Sequence, residues 1–336
     1  MKFGVMDHMD DGGLAPARQY ADRLNLVAAM DRLGFDSYHV AEHHGTPLGL
    51  APSPNLWLSA IAQRTTRLKF GPLVYVAVLY HPMRLAEEIC MLDQLSGGRL
   101  QVGIGRGAVG FEQELYGIDP ASAAERYAEA RDLLLAALTS RTVDFEGHYY
   151  RVRDFPMVLQ PHQQPRPPLW YGLTNPEVAP WAAAHAANVI SLRPAGVARA
   201  ALERYREEWE RLGHAQSALP CLGLARHVVV AATDAQARRI ARAAFPRWRA
   251  SLCSLWQRRG APLPLNVAAD WDELERTAMG VAGTPERVRG YVTEQCALAH
   301  GNCFLAQMVF GGMAYEDALA SLTLFATEVM PPLAPL

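Results

Sequence analysis

SYHVAEHHG, Ser37–Gly45, is the stretch on which the reading of this chain turns. Its apolar and aromatic front lies between Gly34 and Gly45, the pattern of a short buried strand, and it ends in one carboxylate and two adjacent imidazoles. In a parallel β/α barrel the chemistry sits where strands run out at their C-terminal ends, and Glu42, His43 and His44 occupy that place. Side chains alternate along an extended chain, so Glu42 and His44 are expected on one side and His43 on the other. Alternation alone does not choose which imidazole meets a substrate; one of them could simply be held by Glu42 as structure. Adjacent histidines make a poor metal claw. No H-x-x-x-H spacing, cysteine pair or second acidic-histidine cluster elsewhere in the chain completes a ligand set, so no metal is expected.

Outward from this strand, strand and helix alternate. Lys2–Met6 reads as a first strand, and Tyr20, Leu24, Val27 and Leu33 form a helical stripe that stops at Gly34. A helix starts at Ser53-Pro54 and runs to about Arg64, and Leu68–Leu79 is a β-prone third strand broken at His81-Pro82. The next helix ends at Ser96-Gly97-Gly98, before a fourth strand at Leu100–Ile104. Beyond a helix over Glu125–Leu138, two β-prone runs in Val143–Val152 predict a hairpin insertion, and five prolines between Pro156 and Pro168 mark a surface loop. Leu169–Leu173, Asn188–Leu192, Ala225–Ala231 and Asn302–Phe310 give strands five to eight. The pattern predicts one domain over residues 1–336, an α/β eight-stranded TIM barrel with insertions after strands four and seven. The irregular run from Arg258 to Gly283 reads as a lid or as a disordered segment, and Trp271 within it either covers a ligand or anchors the loop.

Composition narrows the function. Half of the 336 residues are hydrophobic and a fifth are charged, with 32 Lys and Arg against 34 Asp and Glu. With no basic run, nucleic acid and anionic membrane are poor partners. No secretory signal or spanning segment stands out, so a cytoplasmic location is expected. The five cysteines are spread without a C-x-x-C and read as reduced, buried residues.

Two further segments carry chemistry. VGIGRGAVG, Val102–Gly110, formally satisfies G-x-G-x-x-G, but it lacks the βαβ context and acidic residue of a dinucleotide site. What remains is a glycine-rich turn presenting Arg106, able to receive a planar or phosphorylated ligand. LWYGLTNPEV, from Leu169, runs from a strand into a helix start at Thr174-Asn175-Pro176, a place for an anion, with Arg106 and Arg126 arising from the neighbouring unit.

VAEHHG, the run from Leu68 to Gly107, GTPERV at Gly283–Val288 and LFATEVMP at Leu324–Pro331 resemble the bacterial luciferase-like family of flavin-dependent monooxygenases over nearly the whole chain. The resemblance implies a barrel that uses reduced FMN and oxygen to oxidise a small organic substrate, the flavin being supplied by a separate NAD(P)H-dependent flavin reductase. It assigns catalysis to His43 with Glu42 beside it, and the flavin phosphate to Arg106, Arg126, Asn175 and the backbone of Thr174 and Val178. It places an unusual cis peptide at Leu73-Val74 against the flavin ring. Gly105 stands where luciferases carry a reactive cysteine and Leu192 where their aldehyde pocket has tryptophan, so light emission is not implied. A deazaflavin-dependent dehydrogenase of the same superfamily and a non-catalytic flavin-binding protein are the alternatives. A homodimer is admissible.

Overall fold

In the computed structural model, which describes residues 1–263 and 267–333, eight parallel strands wind into a barrel. They are β1 (Lys2–Asp7), β2 (Ser37–Val40), β3 (Lys69–Pro72), β4 (Val102–Gly105), β5 (Leu169–Gly172), β6 (Asn188–Ser191), β7 (Leu222–Val230) and β8 (Cys303–Gln307). Hydrogen-bonded neighbours run β3-β2-β1-β8-β7-β6-β5-β4, and a bridge from Phe70 to Leu100 brings the two ends together. The eight expected strands are all present. Ordinary start and stop signals set the helices between them: α1 (Pro16–Leu33) has proline in its first turn and stops at Gly34, whose φ of 84° is the left-handed conformation glycine adopts without penalty.

The third strand differs from its sequence reading. Leu68–Leu79 is broken into β3, a two-residue strand Tyr75–Val76 paired to β4, and a short turn of helix at Ala77–Leu79. Between the two pieces lies a cis peptide at Leu73-Val74. This segment packs hard against β4. A side chain at Gly71 would strike the backbone of Gln101, one at Gly103 the backbone of Pro72, and one at Gly105 the Val74 side chain. Of the glycines that mimic a dinucleotide fingerprint, Gly105 is required by this strand-to-strand contact and Gly107 by its φ of 89°, while Gly110 has room for a side chain.

Met6, Ala41, Leu73, Trp170, Ile190, Ala225 and Leu305 come from seven different strands or their ends and form one buried cluster, which only the inside of the barrel can accommodate. A much larger apolar layer lies between the strands and the helices, with Leu26, Ile61, Ile89, Leu134, Leu202 and Val292 among its members. The inserted hairpin is Thr142–Glu146 with Arg151–Pro156. Between β7 and β8, α7 (Asp234–Arg259) leads into the region expected to be irregular. Of that region, residues 264–266 lie outside the described residues; the rest holds a helix, Trp271–Arg276, and a strand, Gly280–Gly283, that adds in parallel to β7. The sequence hid both, because the helix is six residues long and the strand, GVAG, has little side chain to show a period.

Candidate active site

The C-terminal end of β2 opens into a loop in which Glu42, His43 and His44 alternate sides as expected. Glu42 accepts a hydrogen bond from His44 Nε2 at 2.7 Å and another from the Val76 amide at 2.9 Å. Tyr116 donates to His44 Nδ1 at 2.9 Å. Both ring nitrogens of His44 are thus occupied, and its side chain is 9 % exposed. The expected partnership of Glu42 with His43 does not form. His43 instead pairs through Nδ1 with Glu112, at 2.9 Å. Alternation sets this exchange, since Glu42 and His44 share a side and His43 faces the short helix Gly110–Leu115. Because a carboxylate only accepts, Glu112 fixes the Nδ1–H tautomer of His43 and leaves Nε2, which has no partner among the described residues, to give or take a proton.

Nothing in the sequence singled out Glu112. It lies 69 positions away, in a segment, FEQELYG, that reads as ordinary amphipathic helix. His8, just past β1, was missed as well. It stacks on His43 with ring centroids 5.7 Å apart and accepts from Trp248 Nε1 on α7 at 3.5 Å. Burial, reinforced by His43 and then His227, holds His8 well below the usual histidine range, so it is neutral. The only signal was its place at the end of the first strand. Thr46, in the loop after His44, bonds the Ser254 hydroxyl at 2.7 Å, and Phe111 and Arg259 pack together beside an Arg259–Glu114 ion pair. These contacts clamp the β2 and β4 loops to α7.

A cavity of about 390 Å³ opens beside His8, between the ends of β6, β7 and β8, with Leu192, Arg193, His227, Trp248, Leu252 and Gln307 in its wall. Val267, Ala268, Leu274, Thr277 and Met279 of the expected lid also line it. Trp271 does not face it. That ring is 1 % exposed and lies parallel to Phe310 at 6.0 Å, so it anchors the lid, and Trp248 is the tryptophan at the cavity.

On the other side of the mouth, Arg106 stands exposed at the tip of β4, its carbonyl held by Gln113 at 2.9 Å. Arg126, in the first turn of α4 (Ala123–Thr139), donates to the Tyr150 hydroxyl at 3.3 Å and lies over the Tyr149 and Tyr150 rings. Neither arginine has a carboxylate partner among the described residues. Asn175 is the cap, its Oδ1 accepting from the Glu177 amide at 3.0 Å, and the turn that follows, Pro176–Val178, is a 3₁₀ turn. The Val178 amide is used as well, by Asn175 O at 3.3 Å. The free amides expected at this helix start are therefore largely satisfied, and Glu177 adds a carboxylate beside Asn175. What suits a phosphate is the two guanidinium groups without a carboxylate partner among the described residues and the exposed Thr174 loop; Leu73 belongs to the inner barrel cluster, with Val74 packed against it.

Residues 1–297 match the family model described as luciferase-like monooxygenase. Among curated relatives, an uncharacterized protein, y4wF, of Sinorhizobium fredii is 41 % identical over 98 % of this chain and 96 % of its own length. The oxygenase component of a flavin-dependent trigonelline monooxygenase of Acinetobacter baylyi is 29 % identical over 98 % and 95 %. Three solved structures share the fold. The monooxygenase RslO1 of Streptomyces bottropensis has a TM-score of 0.89 at 24 % identity, covering 99 % of this chain and 100 % of that one. The oxygenating constituent of 3,6-diketocamphane monooxygenase of Pseudomonas putida, in complex with FMN, has 0.78 at 21 %, covering 100 % and 99 %. A coenzyme F420 dependent tetrahydromethanopterin reductase of Methanopyrus kandleri has 0.70 at 19 %, covering 99 % of both. No helix among the described residues is long and apolar enough to cross a membrane.

Proposed function

The chain belongs to the luciferase-like monooxygenase family, and on that premise we propose that it is the oxygenase component of a two-component system, oxidising a small organic substrate with reduced FMN and oxygen. One observation carries the reading: a single barrel mouth holds an oriented imidazole, His43 on Glu112, with Arg106 and Arg126, neither with a carboxylate partner among the described residues, on one side and a cavity beside His8 on the other. Bound reduced FMN supplies the oxygen chemistry. Arg106 and Arg126, with Thr174, Asn175 and Val178, would hold its phosphate, and Leu73 and Val74 would meet its ring. His43 moves a proton at Nε2. Glu42 acts at one remove, by holding His44 and the Val76 amide and so the shape of the loop. The lid and Trp248 keep water from the reacting atoms.

The trigonelline enzyme's description as an oxygenase component supports a reductase partner for this chain too. The deazaflavin alternative is favoured by no observation, since its representative is alike in fold alone. A purely binding role leaves the paired imidazole of His43 without a task. The purified chain, given FMN and oxygen, is expected to oxidise neither NADH nor NADPH until a flavin reductase is added, and then to consume oxygen in a substrate-dependent way. Rapid nicotinamide oxidation by the chain alone would overturn the two-component reading, and oxygen-independent reduction of a deazaflavin would move the assignment to a dehydrogenase.

A further inference from the structure

Among the described residues, the wall of the cavity beside His8 has one charged group without a partner. Its wall is mostly Trp248, Leu252, Leu274, Met279 and neighbouring apolar groups, which suits an apolar body. The polar groups in that wall are accounted for individually. His8 lies well below its ordinary pKa and His227 is pushed down to about 3, both chiefly by burial, so neither brings a charge near neutrality. Glu273 is engaged twice, accepting from the Ala269 amide at 2.7 Å and from Arg276 at 3.3 Å. Gln307 and Thr277 are uncharged.

Arg193 is different. It is exposed at the rim, and its guanidinium has no hydrogen bond or ion pair among the described residues; Arg239 and Arg258 on α7 lack partners there too but do not line the cavity, and Arg238, Arg242, Arg249 and Arg259 on that helix are held by Glu275, Asp272, the Ala268 carbonyl and Glu114. Its backbone is held on both sides, the amide donating to Ser191 Oγ at 3.2 Å and the carbonyl accepting from buried Arg226 at 2.8 Å. The helix that starts two residues later, Ala195–Arg211, has no capping side chain and no acidic residue in its first turn. Its positive end therefore adds to the charge of Arg193 at the same rim.

We propose that the substrate is an apolar molecule bearing one anionic group, a carboxylate or its equivalent, and that Arg193 holds that group at the rim while the body lies in the cavity toward His8. This rests on the reading of the mouth as the substrate side of a flavin oxygenase. The test uses a matched pair of probes, 4-phenylbutyrate and 4-phenylbutyramide, titrated calorimetrically into the full chain without flavin. The acid is expected to bind wild type about tenfold more tightly than the amide, the size of one charge-assisted hydrogen bond. Arg193→Gln is expected to erase the preference, Arg193→Lys to keep part of it and Arg239→Gln, an exposed arginine outside the cavity, to keep all of it. Equal binding of the two probes to wild type, binding of neither, or a preference that survives in Arg193→Gln overturns the proposal. Oxygen uptake with reduced FMN and a reductase is followed separately. If uptake is absent while the acid preference and its loss in Arg193→Gln are present, the oxygenase reading falls and the Arg193 assignment stands.

Discussion

The two sides of the barrel mouth are built on different principles. Toward β4 and β5 the polar groups come from short contiguous stretches, Gly105-Arg106-Gly107 and Thr174–Glu177, and stand in solvent. Toward β1, β2 and α7 they are brought together from afar: His43 meets Glu112 across 69 positions, and His8 meets Trp248 across 240. The first side works by presenting charge, which needs only a loop and exposure. The second works by orienting imidazole rings in a buried place, where each ring must be fixed by a partner and covered by another element. Exposed sites can be local in sequence; buried ones must be assembled.

If that contrast is right, the buried side should respond most strongly to mutation. His43→Ala is expected to lower turnover by about a hundredfold to ten-thousandfold with FMN binding little changed. Glu112→Gln, which leaves the ring but loosens its tautomer, should fall between wild type and that loss. Single-turnover rates at saturating reduced FMN measure both. A His44→Ala enzyme that loses more in turnover than His43→Ala, at equal thermal stability, would reverse the roles assigned to the two rings.

The exposed side should respond more modestly and selectively. Arg106→Ala is expected to weaken reduced FMN by about tenfold, the scale of one charge-assisted hydrogen bond. Riboflavin, lacking the phosphate, should bind wild type and variant alike under anaerobic fluorescence titration. Equal losses for both flavins would place Arg106 away from the phosphate.

The smallest effect concerns the barrel interior beneath the buried side. His39 is fully buried against Trp170, neither ring nitrogen has a partner among the described residues, and burial pushes its pKa down to about 3. For a base depressed on folding, the unfolded chain takes up the proton first. Stability is therefore complete above the unfolded value near 6.5 and is lost as pH falls from there toward 3. At pH 6 the loss is about 0.8 kcal/mol whatever the folded value below 5. His39→Leu should flatten this part of the acid limb in thermal melts between pH 7 and 5. An unchanged slope would mean that His39 keeps its proton in the fold.

Much of the barrel was legible because its signals are local. Alternation, a β-prone run or a Ser-Pro helix start is written within about ten residues, and the spacing of such signals at Lys2, Ser37, Leu68, Leu100 and Leu169 is enough to count strands. Local alternation also put Glu42 and His44 on one side and His43 on the other. It could not supply the partner of His43, and the assumption that the neighbouring carboxylate filled that place failed for this reason. The helix start at Thr174-Asn175 was read correctly as a cap, yet whether its amides remain free depends on the turn type, which the Asn175 side chain and carbonyl decide in three dimensions.

By itself, then, the sequence determined the strand–helix order, the end of the barrel where polar groups gather, and the side on which each of Glu42, His43 and His44 faces, because each follows from chain geometry within a few residues. Tertiary structure alone decided that Glu112 orients His43, that Trp248 and not Trp271 faces the cavity, and that Arg193 has no counter-charge among the described residues. Each of these is a matter of which distant groups are close enough to pair, and a pairing across tens or hundreds of residues exists only once the barrel has closed.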